Sequence, residues 1–380
     1  MRPGSIAIVG AAETDRIGVL PDQSQLNLNI GAARNALRDA GLTPADIDGV
    51  ASTGFSAGEV AEALGIHTRW VDTTSVGGCS YFLHVRHAAA AITAGMASAV
   101  LITHGESGRS RVGEAPLRFS ASGPMGQFEM PYGTAGFATM FTVPALRFMK
   151  EFGVTHEQLA GVAAAQRKWA QPNERAFRRD PLTVEDVLAS PMIAYPFHRA
   201  ECCVVTDGGG ALIVTSAERA ADLKSRPVYI LGTGESTAHT AVSQMEDFTS
   251  SRAFRESSAD AFREAGVGTA DIDHLMVYDA FAHVPLYGLQ DLGFVKPGEA
   301  AAFVAEGNTE PGGSLPMNTN GGGLSYTHTG MYGMFAMQEA VRQVRGTAAV
   351  PVPDVELSFV QGVGGMFSTA ASLVLARDRP

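Results

Sequence analysis

Residues 36–48, Ala-Leu-Arg-Asp-Ala-Gly-Leu-Thr-Pro-Ala-Asp-Ile-Asp, return with small substitutions as residues 261–273, Ala-Phe-Arg-Glu-Ala-Gly-Val-Gly-Thr-Ala-Asp-Ile-Asp. Two further pairs follow the same order. Ile6-Ala-Ile-Val-Gly10 resembles Val228-Tyr-Ile-Leu-Gly232, and Gly77-Gly-Cys-Ser-Tyr81 resembles Gly322-Gly-Leu-Ser-Tyr326. Chance explains one such pair, but it explains three pairs in register poorly. The chain is expected to be a duplication, with two similar halves around a pseudo-two-fold axis that brings the two glycine turns together. A cleft between such halves is a natural place for a ligand.

Local patterns supply the elements. Ile6–Gly10 reads as a buried strand, Asn27–Ala40 as a helix stopped by Gly41, and Ile47–Thr53 as a second strand. Cys79–Ala94 reads as an alanine-rich helix and Ser98–Thr103 as a buried strand. This alternation indicates an α/β fold. From about residue 107 to 197 glycine, proline and arginine rise, with aromatics at Phe119, Phe128 and Tyr132. An inserted lobe is expected there, helical over Val143–Phe152 and His156–Trp169. Glu201–Thr215 returns to core strand, with Cys202 and Cys203 as strand residues, and Val355–Phe359 and Ala370–Leu375 form a closing strand pair. The halves are expected at 1–225, with the lobe, and 226–380.

The stretch Asn318-Thr-Asn-Gly-Gly-Gly-Leu-Ser-Tyr-Thr-His-Thr-Gly330 is the strongest chemical signal. Three consecutive glycines permit unusual backbone geometry and close ligand approach. A helix over Met331–Val341 follows. Tyr326 and His328 therefore sit in a turn feeding a helix N-terminus, where amides and the dipole favour developing negative charge.

The chain's 380 residues suffice for two core-forming units, and 45% hydrophobic with 18% charged residues describes a globular protein. A net charge of -11 argues against nucleic acid or an anionic membrane surface as partner. An anionic small ligand needs a local basic patch. Two candidates are Arg109, Arg111 and Arg118, and the run of Arg167, Lys168, Arg175, Arg178 and Arg179. Cys79, Cys202 and Cys203 are a sparse, odd set that fits a reduced, cytoplasmic compartment. No metal-ligand spacing, secretory signal or membrane-length apolar run is found. His84, His87, His104 and His198 have no partner spacing and are read as packing or surface residues.

At this point the chain resembles the thiolase superfamily over nearly its whole length. Asn318-Thr-Asn-Gly-Gly is similar to the family's Asn-x-Asn-Gly-Gly, and an ungapped count puts His328 on the histidine of the following loop, where Thr327 and Thr329 replace a glycine and a proline. Residues 167–208, through Asn173, Thr183-Val-Glu-Asp-Val-Leu-Ala-Ser190 and Cys203-Val-Val-Thr-Asp-Gly208, resemble the sterol-carrier and lipid-transfer branch, most closely its steroid side-chain aldolase type. The resemblance implies two βαβαβαββ halves stacked in five layers, α-β-α-β-α, with an inserted loop lobe. It also implies a coenzyme A thioester as substrate without a tightly bound cofactor or metal, a homodimer, and a small OB-fold, zinc-ribbon (DUF35-type) partner.

The departures shape the chemistry. The family's nucleophilic cysteine falls on Gly78, with Cys79 one residue away. Its oxyanion-site Asn or His falls on Tyr278, and its second cysteine falls on Gln361. Tyr278 and His328 are therefore the acid/base candidates, Tyr326 a weaker one, and Gly78, Gly322, Gly323, Gly364 and Gly365 the substrate-side or oxyanion positions. A tyrosine base near neutral pH calls for a phenol pKa lowered from about 10. Three readings stand. The first is a carbon–carbon lyase performing retro-aldol cleavage of a β-hydroxyacyl-CoA, including those with steroid or other bulky acyl groups. The second is a thiolase-type acyltransferase using Cys79, whose thiolate a helix N-terminus would favour. The third is a non-catalytic acyl-CoA or lipid-binding subunit.

Overall fold

The computed structural model describes residues 1–113, 120–134 and 136–380; Arg118 and Phe119 lie outside the described residues. The first half runs β1 (Ile6–Glu13), α1 (Gln25–Ala40), β2 (Gly49–Ser52), α2 (Ala57–Leu64), β3 (Trp70–Asp72), α3 (Ser80–Thr93) and β4 (Ala99–Ser107). A largely helical lobe follows: α4 (Pro124–Phe128), α5 (Phe137–Phe152), α6 (His156–Ala170) and α7 (Val184–Ala189), then a hairpin of β5 (Met192–Ala194) and β6 (Phe197–His198). The chain returns through β7 (Asp207–Ser216) and α8 (Ala217–Ala220). The second half contains β8 (Val228–Thr237), α9 (Arg252–Ala265), β9 (His274–Val277), α10 (Val284–Asp291), α11 (Ala300–Ala305), α12 (Gly322–Ser325), α13 (Gly333–Arg345), β10 (Leu357–Gly364) and β11 (Thr369–Ala376).

The repeated segment folds alike twice because its signals are local. Helices α1 and α9 start on serine caps, Ser24 accepting from the Asn27 amide and Ser251 from the Phe254 amide. Both stop on a left-handed glycine, Gly41 at φ 70 and Gly266 at φ 72. A 3-10 turn follows each, held by an aspartate: the Thr43 amide donates to Asp46 at 2.8 Å and the Gly268 amide to Asp271 at 2.8 Å.

The strands lie in the order β3-β2-β4-β7-β1-β8-β11-β10-β9. Read outward from the middle, β1-β7-β4-β2-β3 has the same pairing senses as β8-β11-β10-β9, and a parallel bridge from Leu275 to Met317 stands where β3 stands in the first half. β1 and β8 pair antiparallel over Ile6–Ile8 and Val228–Ile230, which joins the two half-sheets across the pseudo-dyad. α1 covers the outer face of the first half-sheet and α9 that of the second. α3 and α13 touch each other and strands of both halves. This is the α-β-α-β-α arrangement.

The second half departs from the first at one place that matters. After Gly77-Gly the first copy runs directly into α3, whereas after Gly322-Gly the chain makes only the single turn α12, then residues 327–332, before α13 begins. That excursion carries His328. Residues 201–206 also differ from expectation. They form a turn and an extended link outside β7, with isolated bridges from Cys202 to Phe281 and Val205 to His328. Cys202 and Cys203 are partly exposed link residues and do not belong to a core strand. No helix among the described residues is long and apolar enough to cross a membrane.

Candidate active site

Tyr278 leaves the end of β9, where its amide donates to the Gln361 carbonyl of β10 at 3.1 Å. Its hydroxyl lies 3.0 Å from Nε2 of His328, with the rings edge to face at 88°. The same phenol oxygen accepts from the Tyr332 amide at 3.0 Å. That amide sits at the N-terminus of α13, where the helix field favours negative charge. With one amide donating to it, the phenol keeps its own proton, which His328 in the Nδ1-protonated tautomer would accept at Nε2. Tyr278 is 4% and His328 8% exposed, so little water reaches either side chain.

The first glycine turn packs against this pair. A side chain on Gly78 would put its Cβ 2.6 Å from both Cζ and the hydroxyl oxygen of Tyr278, and closer still to Cε2. Real Cβ contacts do not come so near. The tyrosine ring therefore fills the space that a side chain at residue 78 would need. Gly333, the first residue of α13, is held to glycine in turn because a Cβ there would strike the Gly78 carbonyl oxygen. Gly77 meets the end of β10, its Cβ position lying 2.7 Å from the Gly365 amide nitrogen and 3.1 Å from Gly364. The first glycine turn thus converges with Gly364–Gly365 and with the start of α13, while the second packs on Asp279, a Cβ on Gly323 lying 3.4 Å from Cδ2 of His328.

Electrostatics keep the pair neutral. Burial pushes the Tyr278 phenol well above its ordinary value, opposed only by the Tyr332 amide. Burial lowers the His328 imidazole to about 4. The expectation of a depressed tyrosine pKa is therefore reversed: desolvation outweighs a single amide donor. The resting state is a neutral phenol bonded to a neutral imidazole.

His328 is held by its backbone. Its amide donates to the Thr206 hydroxyl at 3.1 Å, its carbonyl accepts from the Thr206 amide at 3.2 Å, and Thr206 and Thr327 share a hydroxyl bond of 2.7 Å. Thr329 bonds Nε2 of His104 at 2.7 Å, and the other nitrogen of His104 bonds the Tyr81 hydroxyl. The two threonines that replace the family's glycine and proline thus tie the histidine loop to the first half.

Two sets of candidates are engaged elsewhere. The Tyr326 hydroxyl donates to Glu13 at 2.6 Å, inside a buried cluster where Glu13 also pairs with Arg175 at 2.9 Å and Arg342 at 2.5 Å. The amides of Gly322 and Gly323 donate to Asn320 at 2.8 Å and Asp279 at 2.7 Å, so they serve the loop's internal structure. The Gly323 and Leu324 amides together cradle the Asp279 carboxyl, which burial nonetheless pushes up to about 8. Gln361 bonds the Gly362 carbonyl and has no acid–base chemistry to offer. Cys79 caps α3 with no side-chain hydrogen bond and is fully buried against β10, where a Cβ on Gly364 would lie 2.8 Å from its sulfur. Burial pushes its thiol far above the ordinary range despite the helix N-terminus. Tyr332 escaped the sequence reading because it contributes a backbone amide. Its position at the start of a helix already marked as ligand-facing was the available clue.

Comparison with known proteins identifies the family. Residues 234–377 match the thiolase C-terminal domain-like family model. The 17-hydroxy-3-oxo-4-pregnene-20-carboxyl-CoA lyase of Mycobacterium tuberculosis is 35% identical over 94% of this chain and 95% of its own. The steroid side-chain-cleaving aldolase of Thermomonospora curvata is 33% identical over 99% of each. The solved Ltp2-ChsH2(DUF35) aldolase superposes with a TM-score of 0.93 at 32% identity, covering 100% of this chain and 99% of that one. The chain belongs to the thiolase superfamily, in the sterol-carrier thiolase-like branch that holds the steroid side-chain aldolases.

Proposed function

We propose that the protein is a carbon–carbon lyase that cleaves a β-hydroxyacyl-CoA by retro-aldol chemistry, releasing a ketone or aldehyde and a short acyl-CoA. The observation that carries this reading is the Tyr278 phenol, lodged over Gly78 and bonded to both His328 and the Tyr332 amide. Sulfur has no room at residue 78, while a proton relay stands in its place.

The relay balances without a further reagent. The substrate's β-hydroxyl gives its proton to the Tyr278 oxygen as the phenol proton passes to Nε2 of His328. The Cα–Cβ bond breaks, its electrons forming the enolate of the acyl thioester, and Cβ becomes the carbonyl of the leaving ketone or aldehyde. The enolate then takes the proton back at Cα, restoring neutral phenol and imidazole. Because both groups are neutral at rest, the two proton movements are coupled; a free phenolate in this buried site would be costly. The Tyr332 amide and the N-terminus of α13 stabilise the negative charge that passes through the phenol oxygen. Gly365, whose amide nitrogen lies beside Gly77, is the backbone position assigned in this reading to the enolate donor.

Relatives named for steroid side-chain cleavage support a bulky acyl group, and the neighbour solved with a DUF35 subunit supports such a partner here. We also infer a homodimer, with β3 at the open edge of the sheet as its docking strand, and a cytoplasmic setting for three free thiols. The test is an assay of a β-hydroxyacyl-CoA, with and without a DUF35 subunit, following ketone release. Tyr278→Phe should abolish turnover and Cys79→Ala should retain it. Loss of all activity in Cys79→Ala, or a thioester trapped on Cys79, would replace the lyase by an acyltransferase.

A further inference from the structure

Four non-glycine residues among those described have a positive φ: Arg111, Asn318, Asp354 and Phe367. Arg111 is exposed, and asparagine and aspartate visit this conformation readily. Phe367, at φ 61, is a fully buried aromatic residue whose Cβ makes the left-handed backbone costly. Strain of this kind persists only where the surroundings over-determine it. Four rings do so here. Phe367 stacks on Tyr287 of α10 with centroids 4.5 Å apart, and it meets Phe141 of the lobe helix α5, Phe254 of α9 and His283 edge to face at 5.4, 5.6 and 5.6 Å. The Tyr287 hydroxyl donates to the Pro144 carbonyl at 2.9 Å, which fastens α10 to α5.

The turn that carries Phe367 is the one that closes on the first glycine turn. It joins β10 to β11, whose last paired residues are Gly364 and Thr369. The Ser368 hydroxyl donates to the Gly364 carbonyl at 2.9 Å, and the Ser368 carbonyl accepts from the Ala238 amide at 2.8 Å. A Cβ on Gly364 would strike the Val76 carbonyl oxygen, and one on Gly77 would lie 2.7 Å from the Gly365 amide nitrogen. The two turns therefore meet backbone to backbone, with no side chain between them to absorb a displacement. Gly365 is exposed while Phe367, two residues on, is fully buried.

We infer that Phe367 is a positioning residue for the reaction: its ring, held among Phe141, Phe254, His283 and Tyr287, keeps the β10–β11 turn in its left-handed conformation and so fixes the Gly365 amide where the enolate of the acyl thioester forms. Being buried, it acts through the backbone. One wall of the box, Phe141, comes from the inserted lobe, so the lobe helps to set that amide. The inference rests on the lyase reading above, in which Gly365 is the enolate donor.

The experiment pairs Phe367→Leu with Phe359→Leu. Phe359 is fully buried near the other end of β10 and stacks on Phe262 of α9 at 4.6 Å, so its variant loses the same volume away from the turn. Both should lose comparable stability in urea. Phe367→Leu should lower kcat for a β-hydroxyacyl-CoA about 10- to 100-fold, as for a displaced transition-state donor, with KM within about twofold; Phe359→Leu should leave both within about twofold. Solvent exchange of the Cα protons of the short acyl-CoA product needs the enolate but no carbon–carbon cleavage, and it should slow by the same factor in Phe367→Leu alone. Phe367→Gly separates ring from strain: glycine takes φ 61 freely, yet without the ring the turn is unanchored and the loss in kcat should persist. Phe141→Leu removes one wall and leaves residue 367 intact, and it should show the same pattern at smaller amplitude. Hydrogen exchange of the amides of residues 364–368, followed by mass spectrometry in the resting protein, should quicken in both Phe367 variants and not in Phe359→Leu. That readout needs no active lyase, so an inactive wild-type protein ends the lyase reading while exchange alone decides whether Phe367 holds the turn. An equal kcat loss in Phe359→Leu, kcat kept within about twofold in Phe367→Gly, or unchanged exchange at residues 364–368 would overturn the role of Phe367.

Discussion

Gly78→Ala is the sharpest perturbation of the site. The backbone at Gly78 is not in the left-handed region, so the added methyl strains nothing by conformation; its only effect is steric. That methyl would sit 2.6 Å from the Tyr278 Cζ and hydroxyl oxygen, where ordinary contact needs 3.4 Å or more. The ring has to shift by roughly an ångström, and it is hemmed in by His328 and Tyr332 on its other sides. Overpacking of this kind costs about 1–3 kcal/mol, and weakening the phenol's two buried hydrogen bonds adds about 1 kcal/mol each. A total of about 3–5 kcal/mol is expected in urea unfolding. Catalysis should suffer more. A relay whose donor and acceptor are separated forfeits most of its acid–base advantage, about 100- to 10,000-fold in kcat/KM. The decisive comparison is a double-mutant cycle. If the methyl acts only through the ring, Gly78→Ala should cost little stability in a Tyr278→Ala background, because the shortened side chain vacates the space. Additive losses in that cycle, or a Gly78→Ala enzyme within about threefold of wild-type activity and unchanged in stability, would refute the proposed contact.

Other outcomes follow from the same geometry. Cys79→Ala should retain activity within about twofold while losing roughly 1–2 kcal/mol in chemical denaturation, since it opens a small cavity against β10. Tyr326→Phe removes one bond to Glu13 but leaves both arginine pairs, so a loss of about 1–2 kcal/mol and a kcat reduced less than tenfold are expected; a thousandfold loss would make Tyr326 a direct participant. His104, His274 and His283 are held neutral by burial, with pKa values lowered to about 3. Their unfolded pKa is about 6.5, so below that pH the unfolded chain binds protons that the folded one refuses. Stability should therefore be full above pH 6.5 and fall as the pH drops toward 3, by at most roughly 2 kcal/mol per imidazole at pH 5. His283, with neither ring nitrogen partnered among five aromatic rings, is the clean test: His283→Phe should be near neutral at pH 7.5 and should flatten the acid limb of a thermal-melt series.

Much of the architecture was legible because its signals act over a few residues. The serine cap, the αL glycine and the aspartate-held turn recur at 36–48 and 261–273, and each works without help from distant chain. Tyr278 and His328 could be placed through motif position, though they lie 50 residues apart. The weaker assignments failed where a side chain's direction decides its role. Nothing near Tyr326 in sequence announces Glu13, 313 residues away, as its hydroxyl's partner. Nothing in Gly322-Gly323 shows that Asp279 consumes an amide there. Composition could count arginines 109 and 178, but it could not show that both lie over the Phe177 ring.

The sequence by itself determined the duplication, the α/β class and the absence of a cysteine from residue 78, since these are carried by identity, spacing and short-range propensity. Only the tertiary structure decided that a phenol fills the vacated space, that both members of the pair are neutral, and which glycine amides are already engaged. Those properties depend on desolvation and on approaches between segments of both halves, and burial there comes from the whole fold.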